Sequence, residues 1–382
     1  MKINFKENEK LLKLSLVLII FLIFGMGYLT GYINWVMPFK VQVDGLYGKN
    51  YLGDFVGRTS KKKKSLAYFD PKQAYENMDD YIWGAPHMMA PFIQLAPQPG
   101  DYKSAVINSM QFRSKKEVSV PKPSKTYRIF LTGGSTAFGS GAPSQDKTIG
   151  GYLESLLNQE TSNSNLNPKF EVFTMAVPGW STTNERIVIE NRLSELQPDL
   201  IISLSGQNDV HAGLLGVNIY SHAQNIIFFN ISNIALGLFG KKPMPPEKVS
   251  ERIPCNKVSY RLIKNVELIS FLLSKMGIPY IFALQPTLSM TGKKLTDDEK
   301  SHDQKNIRKG DKSYFIDCYD NLDKNLIKLK IGDFHYFNLT KVFDSVEEGV
   351  AVFLDSAHFG DRGNQILAQS IYRSIRTFLP NE

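Results

Sequence analysis

The sequence Tyr127-Arg128-Ile129-Phe130-Leu131-Thr132 is a short, mostly apolar run that ends at the turn residues Gly133-Gly134-Ser135. Four later runs have the same character, at residues 170–176, 200–205, 280–284 and 335–339, and longer segments of helical pattern separate them. Near-continuous hydrophobicity is typical of strands that are buried on both faces of a sheet. The alternation of such strands with helices predicts an α/β fold with a parallel sheet and crossover helices.

Three residues suited to chemistry follow the first three predicted strands. Ser135, Gly179 and Asn208 each come just after a strand end. Ligands of open parallel sheets gather at the carboxyl ends of the strands. We therefore expect these three residues to meet at one rim of the sheet.

The residue types match the needs of acyl transfer. A serine hydroxyl becomes a good nucleophile when a base takes its proton, and imidazole suits that task at neutral pH. His358 is the candidate base for Ser135, and Asp355, three residues earlier, is the candidate that orients the imidazole. The backbone N–H groups of Ser135 and Gly179 and the side-chain amide of Asn208 are candidate donors to an oxyanion.

Each of these residues also has a simpler interpretation. Ser135 is also suited to capping the following helix, Gly179 to a plain turn after proline, and Asn208 to an Asx turn. His358 combines an aspartate three residues earlier with a helical segment just after it, at residues 363–378, which favours it over the other histidines. Those are His87, His211, His222, His302 and His335. His211 is either a residue of the pocket or a solvated loop histidine, and Asp209 is interpreted as structural support.

Four short blocks in a fixed order carry a family resemblance. They are Arg128-Ile129-Phe130-Leu131-Thr132-Gly133-Gly134-Ser135, Ala176-Val177-Pro178-Gly179-Trp180-Ser181, Gly206-Gln207-Asn208-Asp209 and Asp355-Ser356-Ala357-His358. The chain resembles the SGNH (GDSL) hydrolases, over roughly residues 105 to 378, and residues 108–113 look like the lead-in of bacterial members. The resemblance implies a three-layer α/β/α sandwich with a flavodoxin-like parallel sheet. Gly134 is a departure, because the family's first block usually carries Asp there.

Other motif families fail on the same residues. Gly134 and Gly139 have Walker-A spacing, but Ser140-Gly141 stands where the lysine of a P-loop is needed. Ala137 occupies the second glycine position of the G-x-S-x-G elbow. The sequence has no H-E-x-x-H motif and no paired C-x-x-C motif, so it predicts no metal site and no cofactor.

The N-terminal part of the chain predicts a membrane anchor. The run from Leu14 to Val36 has no charged residue and, at about 20 residues, is long enough to span a bilayer. A cleaved signal peptide is the alternative, but the run is longer than a typical h-region and lacks an Ala-x-Ala site. Lysines precede it at positions 2, 6, 10 and 13, which favours a cytoplasmic N-terminus and an extracytoplasmic catalytic domain. The basic run Lys61-Lys62-Lys63-Lys64 opposes this orientation.

The expected organisation has four parts. Residues 1–13 form a short cytoplasmic tail, 14–36 the anchor, 37–104 a stem or cover, and 105–382 the catalytic domain with an insertion at about 211–255. The aromatic stretch at residues 81–92 either packs on the domain or forms a substrate rim. The apolar stretch from Asn225 to Phe239 is either a lid, a membrane-contacting patch or a buried helix.

Three local predictions concern the catalytic domain. Thr182-Thr183-Asn184-Glu185 has the pattern of a capping box, so we expect a helix to begin there. The polar run at residues 293–313 is expected to be an exposed excursion. Cys255 and Cys318 form either one disulfide or two buried thiols.

These features predict a serine esterase that acts on acyl or acetyl esters of cell-envelope glycans or lipids. The first alternative is an O-acyltransferase that modifies a cell-surface polysaccharide with the help of a membrane acyl-donor partner. The second is a non-catalytic glycan-binding or scaffold protein. The net charge of +8 suits anionic glycans or lipid headgroups, and without an accompanying motif it predicts no nucleic-acid role.

Overall fold

A five-stranded parallel sheet is the centre of the computed structural model, which describes residues 15, 17–25, 64–72, 74, 84–90, 92–160, 168–216, 236, 251–308 and 310–380. Its strands are β1 (Thr126–Gly133), β2 (Lys169–Ala176), β3 (Leu200–Ser205), β4 (Tyr280–Leu284) and β5 (Phe334–Asn338). The predicted α/β class and parallel sheet are confirmed. β3 and β4 have the predicted bounds, β2 differs from the prediction by one residue at one end, and β1 and β5 differ by one residue at both ends.

The strand order in the sheet is β2-β1-β3-β4-β5. The chain reverses its direction of winding at β1, so the crevice between β1 and β3 is a topological switch point, where doubly wound sheets bind ligands. The register at this point is shared, because Gly133 of β1 pairs with both Ala176 of β2 and Leu204 of β3. The segments that follow these three strands therefore leave the sheet side by side.

Eight helices are described around this sheet. They are α1 (Ser135–Phe138), α2 (Ile149–Glu160), α3 (Thr182–Asn191), α4 (Gln207–Leu214), α5 (Cys255–Lys275), α6 (Asp297–Arg308), α7 (Asp311–Leu326) and α8 (Asp361–Ile375). Short 3₁₀ turns occur at Lys64–Ala67, Gln145–Lys147, Leu193–Leu196 and Arg376–Phe378.

Two hydrophobic cores lie on opposite faces of the sheet. Because successive side chains of a strand point to opposite faces, Phe130 belongs to one core, and Ile129 and Leu131 belong to the other. The Phe130 core includes residues of α3, α5 and α7, whereas the Ile129 core includes residues of α2 and α8. Helices thus cover both faces of the sheet. A disulfide between Cys255 and Cys318 joins α5 to α7 on the first face.

Part of the predicted cover segment packs directly on the domain that contains the five-stranded sheet. An antiparallel hairpin pairs His87–Ala90 with Gln94–Pro97. The buried imidazole of His87 lies 5.5 Å from the ring of Phe138, and the indole N–H of Trp180 donates to the carbonyl of Ile93 over 3.0 Å. The hairpin therefore packs on the domain, but Phe92 between its strands is 84% exposed and does not follow the packing alternative. Residues 81–83 and 91 lie outside the described part of the chain.

A second part of the cover contacts the start of α8. The backbone N–H of Phe69 donates to Asp361 over 2.9 Å, and the guanidinium of Arg362 donates to the carbonyl of Tyr68 over 3.1 Å. Ala67, Tyr68 and Ala74 form a small buried cluster with Ala351 and Leu354. This contact places the cover next to the loop that carries Asp355 and His358.

The predicted anchor is described only at residues 15 and 17–25, which are helical and exposed. Within the described residues, no helix combines the length and the hydropathy that a membrane crossing requires. The rest of the run from Leu14 to Val36 lies outside the described residues. The stretch from Asn225 to Phe239 lies outside them as well, apart from residue 236.

The prediction that residues 293–313 are an exposed excursion is correct for most of the described side chains but wrong for Lys293, Glu299 and Asp303, which are buried. This stretch contains α6, and the side chains of Lys293 and Glu299 form a fully buried ion pair at 2.8 Å. The second carboxylate oxygen of Glu299 accepts the backbone N–H groups of Val352 and Phe353, at 3.0 and 3.1 Å. Polar composition predicted exposure, but charges that are paired and hydrogen-bonded can be buried.

The Lys293–Glu299 pair links the chain after β4 to the residues just before Asp355. Burial alone would raise the pKa of Glu299, but the hydrogen bonds from Lys293 and the backbone N–H groups outweigh burial and hold the pKa below its ordinary value. A depressed pKa means that the ionised carboxylate stabilises the fold above the pKa of the unfolded chain, and that this stabilisation is lost on acidification.

We expect Lys293→Met to lower the free energy of unfolding by about 3–5 kcal/mol, because it leaves the Glu299 charge buried without its cation. Urea denaturation of the purified full chain at neutral pH measures this. Lys294→Met is the matched control, since Lys294 pairs with Glu348 at an exposed position. That control is expected to change stability by about 0.5 kcal/mol or less. Equal losses in the two variants would contradict the structural role of the buried pair.

Candidate active site

Ser135 is the first residue of α1 and follows the end of β1 directly. The turn requires glycine at position 133, where φ is +149° and a Cβ would lie 2.3 Å from the carbonyl oxygen of Leu204. This close approach lets the chain leave the sheet sharply. Because Ser135 opens a helix, its backbone N–H has no acceptor within that helix and is available at the rim.

The structure brings Ser135, His358 and Asp355 into one hydrogen-bonded chain. The Ser135 Oγ lies 2.7 Å from His358 Nε2, and His358 Nδ1 lies 2.8 and 3.0 Å from the two carboxylate oxygens of Asp355. With the Nδ1 proton directed at Asp355, Nε2 is the nitrogen that accepts the serine proton. Ser135 and His358 are more than nine-tenths buried. The three residues have the geometry of a nucleophile, a base and an orienting carboxylate.

The loop that carries Asp355 and His358 is fixed by hydrogen bonds at each residue. One oxygen of Asp355 accepts the backbone N–H groups of Ala357 and His358, both at 2.9 Å. The hydroxyl of Thr136, next to the nucleophile, donates to the carbonyl of Ala357 over 3.1 Å. The carbonyl of Ser356 accepts the N–H of Leu288 over 2.9 Å. The base is thereby held by the segments after β1 and β4.

The Asn208 amide lies between Gly134, next to Ser135, and Trp180, next to Gly179. Asn208 is the second residue of α4, and its amide donates to the carbonyl of Trp180 over 2.7 Å. This bond uses one of the two amide protons and orients the other. Gly179 is exposed, has φ of +89° and has no atom within 4 Å of where a Cβ would stand. Its backbone therefore faces open space, where a substrate can approach.

The contact between Gly134 and Asn208 explains the departure in the first block. A Cβ at position 134 would lie 2.3 Å from the amide nitrogen of Asn208 and 3.2 Å from the carbonyl of Trp180. The backbone of Gly134 has φ of −87°, so its conformation is open to other residues. A side chain at this position would have to displace the Asn208 amide, which occupies the space that its Cβ would take.

Asp209 ties the Gly179 segment to α4, in agreement with its interpretation as structural support. Its carboxylate accepts the backbone N–H and the hydroxyl of Thr182, at 3.1 and 2.6 Å. The amide of Asn265 in α5 also donates to Thr182, over 3.0 Å. Burial raises the pKa of Asp209 to about 6, and the hydrogen bonds from Thr182 oppose that rise.

A capping box is present, but it is formed by Ser181 and Asn184 and not, as predicted, by Thr182 and Glu185. The helix does begin at Thr182, but Ser181 is the N-cap, and Asn184 accepts the Ser181 N–H at 3.1 Å. Glu185 is instead buried against β1, where its carboxylate accepts the hydroxyl of Thr132 at 2.8 Å. Burial raises the pKa of Glu185 to about 7, although hydrogen bonds from Ser205 and Thr132 lower it. Local spacing did not reveal this partner, because Thr132 lies on another strand.

The other histidines have different surroundings. Burial lowers the pKa of His87 to about 4. His335 lies 2.6 Å from Asp333 at the start of β5, the end of the sheet opposite to Ser135. His211 lines an open cavity together with Gln207 and Ser356, and His222 lies outside the described residues. Among the residues that the structure describes, no cluster of three or more His, Cys, Asp or Glu side chains is arranged to hold a metal ion.

Several residues of the site escaped the sequence interpretation. Trp180, Gly134 and Glu185 lie within the quoted blocks or beside them, but their roles depend on partners from other strands. Thr287 and Ser289, which line the cavity with His211, follow β4 without any recognisable motif. Their only signal in the sequence was their position after a strand end, the same signal that led to Ser135, Gly179 and Asn208.

We expect Gly134→Ala to lower kcat by about 100-fold or more for any ester substrate that the protein hydrolyses, because the new Cβ displaces the Asn208 amide from the oxyanion position. Steady-state kinetics measures this. The double variant Gly134→Ala/Asn208→Ala tests the cause. If the effect acts through Asn208, adding Gly134→Ala to the Asn208→Ala variant should lower kcat little further. Additive losses would contradict this coupling.

The raised pKa of Glu185 predicts a pH-dependent stability. A carboxyl whose pKa is raised from 4.5 to about 7 favours the folded state below about pH 4.5, and that contribution is lost as the pH rises through 7. Between pH 4.5 and 8, the free energy of unfolding should therefore fall by about 2–4 kcal/mol less in Glu185→Gln than in the parent. Denaturation at several pH values measures the difference. Glu190→Gln, at an exposed position of the same helix, is the control. Identical pH profiles for the parent and Glu185→Gln would contradict the prediction.

Comparisons with known proteins complete the description. No protein-family model matches the sequence, and no curated protein shows significant similarity to it. Similar solved structures include an acetyl xylan esterase (14% identity, TM-score 0.37, covering 65% of this chain and 99% of that one). An acetylxylan esterase from Geobacillus stearothermophilus is 12% identical, with a TM-score of 0.36, and the match covers 67% of this chain and 97% of that one. A lipase from a goat rumen metagenome is 11% identical, with a TM-score of 0.41, and the match covers 65% of this chain and 97% of that one. At such low scores and identities these similarities carry no argument about activity, which has to be inferred from the geometry of the site.

Proposed function

We propose that this protein is a serine-dependent ester hydrolase that acts through an acyl-enzyme on Ser135. The observation that supports this best is the continuous chain from Ser135 Oγ to His358 Nε2 at 2.7 Å and from His358 Nδ1 to Asp355 at 2.8 Å. A serine that only capped a helix would have no need of a buried imidazole on its hydroxyl. Substrates are acyl or acetyl esters of cell-envelope glycans or lipids.

Acylation begins when Ser135 Oγ attacks the carbonyl carbon of the ester. The hydroxyl proton moves to His358 Nε2, and Asp355 stabilises the resulting imidazolium. The carbonyl oxygen becomes an oxyanion, for which the N–H groups of Ser135 and Gly179 and the amide of Asn208 are the donors. The intermediate then collapses. The bond to the alcohol oxygen breaks, and that oxygen takes the proton from Nε2 and leaves as the alcohol.

Deacylation repeats these steps with water as the nucleophile. A water molecule gives one proton to His358 Nε2 and attacks the acyl carbon, and a second oxyanion forms at the same donors. When this intermediate collapses, Ser135 Oγ takes the proton back from Nε2. The products are the carboxylic acid and the original enzyme.

O-acyl transfer is the second candidate, because an open cavity with polar walls adjoins the site and can admit an acceptor alcohol. A sugar hydroxyl in place of water would complete the same proton transfers and form a new ester. The acyl donor would then be supplied by a membrane partner. This candidate shares every residue of the hydrolytic mechanism and differs only in the second nucleophile.

We place the catalytic domain outside the cytoplasm, with residues 14–36 as a single membrane anchor. The uncharged run from Leu14 to Val36 and the lysines that precede it support this arrangement. The disulfide between Cys255 and Cys318 supports it independently, because disulfides persist mainly in oxidising compartments.

The test is covalent labelling of the full chain, extracted from membranes with detergent, by a serine-directed fluorophosphonate. Intact mass should show one adduct on the parent, none on Ser135→Ala, and slow labelling of His358→Ala. Asp355→Asn should lower kcat for ester hydrolysis on the order of 10⁴-fold, because the imidazole loses its orientation. Recovery of the full chain in the soluble fraction would contradict the anchor.

His335→Ala is the matched control, because His335 also pairs with an aspartate but lies at the opposite end of the sheet. It should be labelled at the parental rate. A folded parent that forms no adduct would overturn the proposed chemistry and favour a non-catalytic glycan-binding or scaffold protein. An adduct that persists in Ser135→Ala would place the nucleophile elsewhere.

A further inference from the structure

An open cavity adjoins the triad on the side of α4 and the segment that follows β4. It encloses about 380 Å³, including the space at its mouth that is open to solvent. Six polar side chains line it: Gln207, His211, Thr287, Ser289, Asp311 and Ser356.

Two of these residues fix the cavity next to the reacting atoms. Gln207 directly precedes the oxyanion candidate Asn208, and Ser356 stands between Asp355 and the His358 segment. Consecutive Cα atoms are about 3.8 Å apart. A molecule in the cavity therefore lies beside the position where the ester carbonyl meets Ser135, and the cavity belongs to one of the two arms of the ester.

The far wall is joined to the triad loop by hydrogen bonds. The N–H of Leu288, between Thr287 and Ser289, donates to the carbonyl of Ser356 over 2.9 Å. Gln285 donates to the hydroxyl of Thr136 over 3.2 Å, and Thr136 donates to Ala357. The wall and the base are thus one connected unit, so a ligand in the cavity is held in a fixed position relative to His358.

Thr287 points to the chemistry of the ligand. It is 2% exposed, and its Oγ1 has no hydrogen-bond partner among the described residues. A buried hydroxyl without a partner is costly, and one bound hydroxyl group can relieve that cost. Asp311, which accepts a hydrogen bond from Arg252 at 3.1 Å, adds a carboxylate to the lining.

The composition of the walls distinguishes the two arms of the ester. Apolar contact comes from Leu214 and Phe315, while the other six side chains are polar. An acyl chain or a fatty alcohol would leave the Thr287 hydroxyl without a partner. A sugar ring offers hydroxyls to the polar groups and C–H faces to Phe315 and Leu214.

We infer that this cavity binds the alcohol arm of the ester and that the alcohol is a carbohydrate. The inference rests on the proposed function, because it identifies the leaving alcohol of the Ser135 reaction. In the transfer alternative the same cavity holds the sugar acceptor. Its hydroxyl oxygen then lies where His358 Nε2 can take or return the proton.

The test compares esters of the same acyl group. The probes are a panel of mono-O-acetylated hexoses, pentoses and N-acetylhexosamines, and octyl acetate, whose alcohol is apolar. The full chain should show a higher kcat/KM for at least one sugar acetate than for octyl acetate. Thr287→Val, which replaces the hydroxyl by a methyl group, should lower the ratio of the two kcat/KM values about tenfold or more.

Ser356→Ala is the second variant, and Thr291→Val is the matched control. Thr291 follows β4 in the same segment, but its hydroxyl donates to Asp344 over 3.1 Å and it is not a cavity residue. The control should keep the parental ratio. A preference for octyl acetate, or an unchanged ratio in both Thr287→Val and Ser356→Ala, would overturn the inference.

Calorimetry with Ser135→Ala separates this inference from the proposed function. In one outcome the parent hydrolyses no ester, Ser135→Ala binds a member of the sugar panel, and Thr287→Val/Ser135→Ala binds that sugar at least tenfold more weakly. The cavity assignment then stands, and the proposed Ser135 chemistry fails. If the parent hydrolyses octyl acetate and Ser135→Ala binds no sugar, the chemistry stands and the cavity assignment fails.

Discussion

The register of β1 between its two neighbouring strands is the constraint on which the site depends. Gly133 of β1 is paired on one side with Ala176 of β2 and on the other with Leu204 of β3. These two pairings set where the three strands end, and Ser135, Gly179 and Asn208 follow those ends within a few residues. A shift of one pairing would move one group of the site by a full residue and turn its side chains to the other face. Ser135, Gly179 and Asn208, the proposed nucleophile and oxyanion donors, are therefore positioned by a buried part of the sheet.

The proposed base, His358, is held next to Ser135 by contacts of a different kind. Asp355 and His358 lie in a loop outside the five-stranded sheet, and an antiparallel bridge between Phe353 and Phe359 closes this loop. Three further contacts hold it: Glu299 accepts the N–H groups before the loop, the Thr136 hydroxyl donates to Ala357, and the Leu288 N–H donates to Ser356. The buried Lys293–Glu299 pair thus serves the site at a distance, because it stabilises the segment that leads into Asp355. The polar cavity shares this support, since its wall is the segment that follows β4.

Sequence reasoning succeeded where a signal is local and repeated. Five apolar runs of strand length gave the five strands to within one residue at an end, because burial on both faces requires continuous hydrophobicity. It failed where the partner of a polar residue comes from elsewhere in the chain. Glu185 has the spacing of a capping residue but accepts a hydrogen bond from Thr132 across the sheet, and Ser181 takes the N-cap position. Residues 293–313 look like an exposed excursion, but Lys293 and Glu299 are buried because each neutralises the other.

The sequence by itself determined the α/β class, the strands and the candidates Ser135, Gly179, Asn208, Asp355 and His358. These follow from hydrophobic pattern, chain order and the chemistry of side chains, which are properties of single segments. Only the tertiary structure decided the distances between Ser135, His358 and Asp355, the close approach of the Asn208 amide to Gly134, and the polar cavity around Thr287. Each of these depends on atoms far apart in the chain, such as the Asn208 amide that fills the space beside Gly134. A linear pattern carries no information about which segments share such space, because only the packing of the sheet and its loops brings them together.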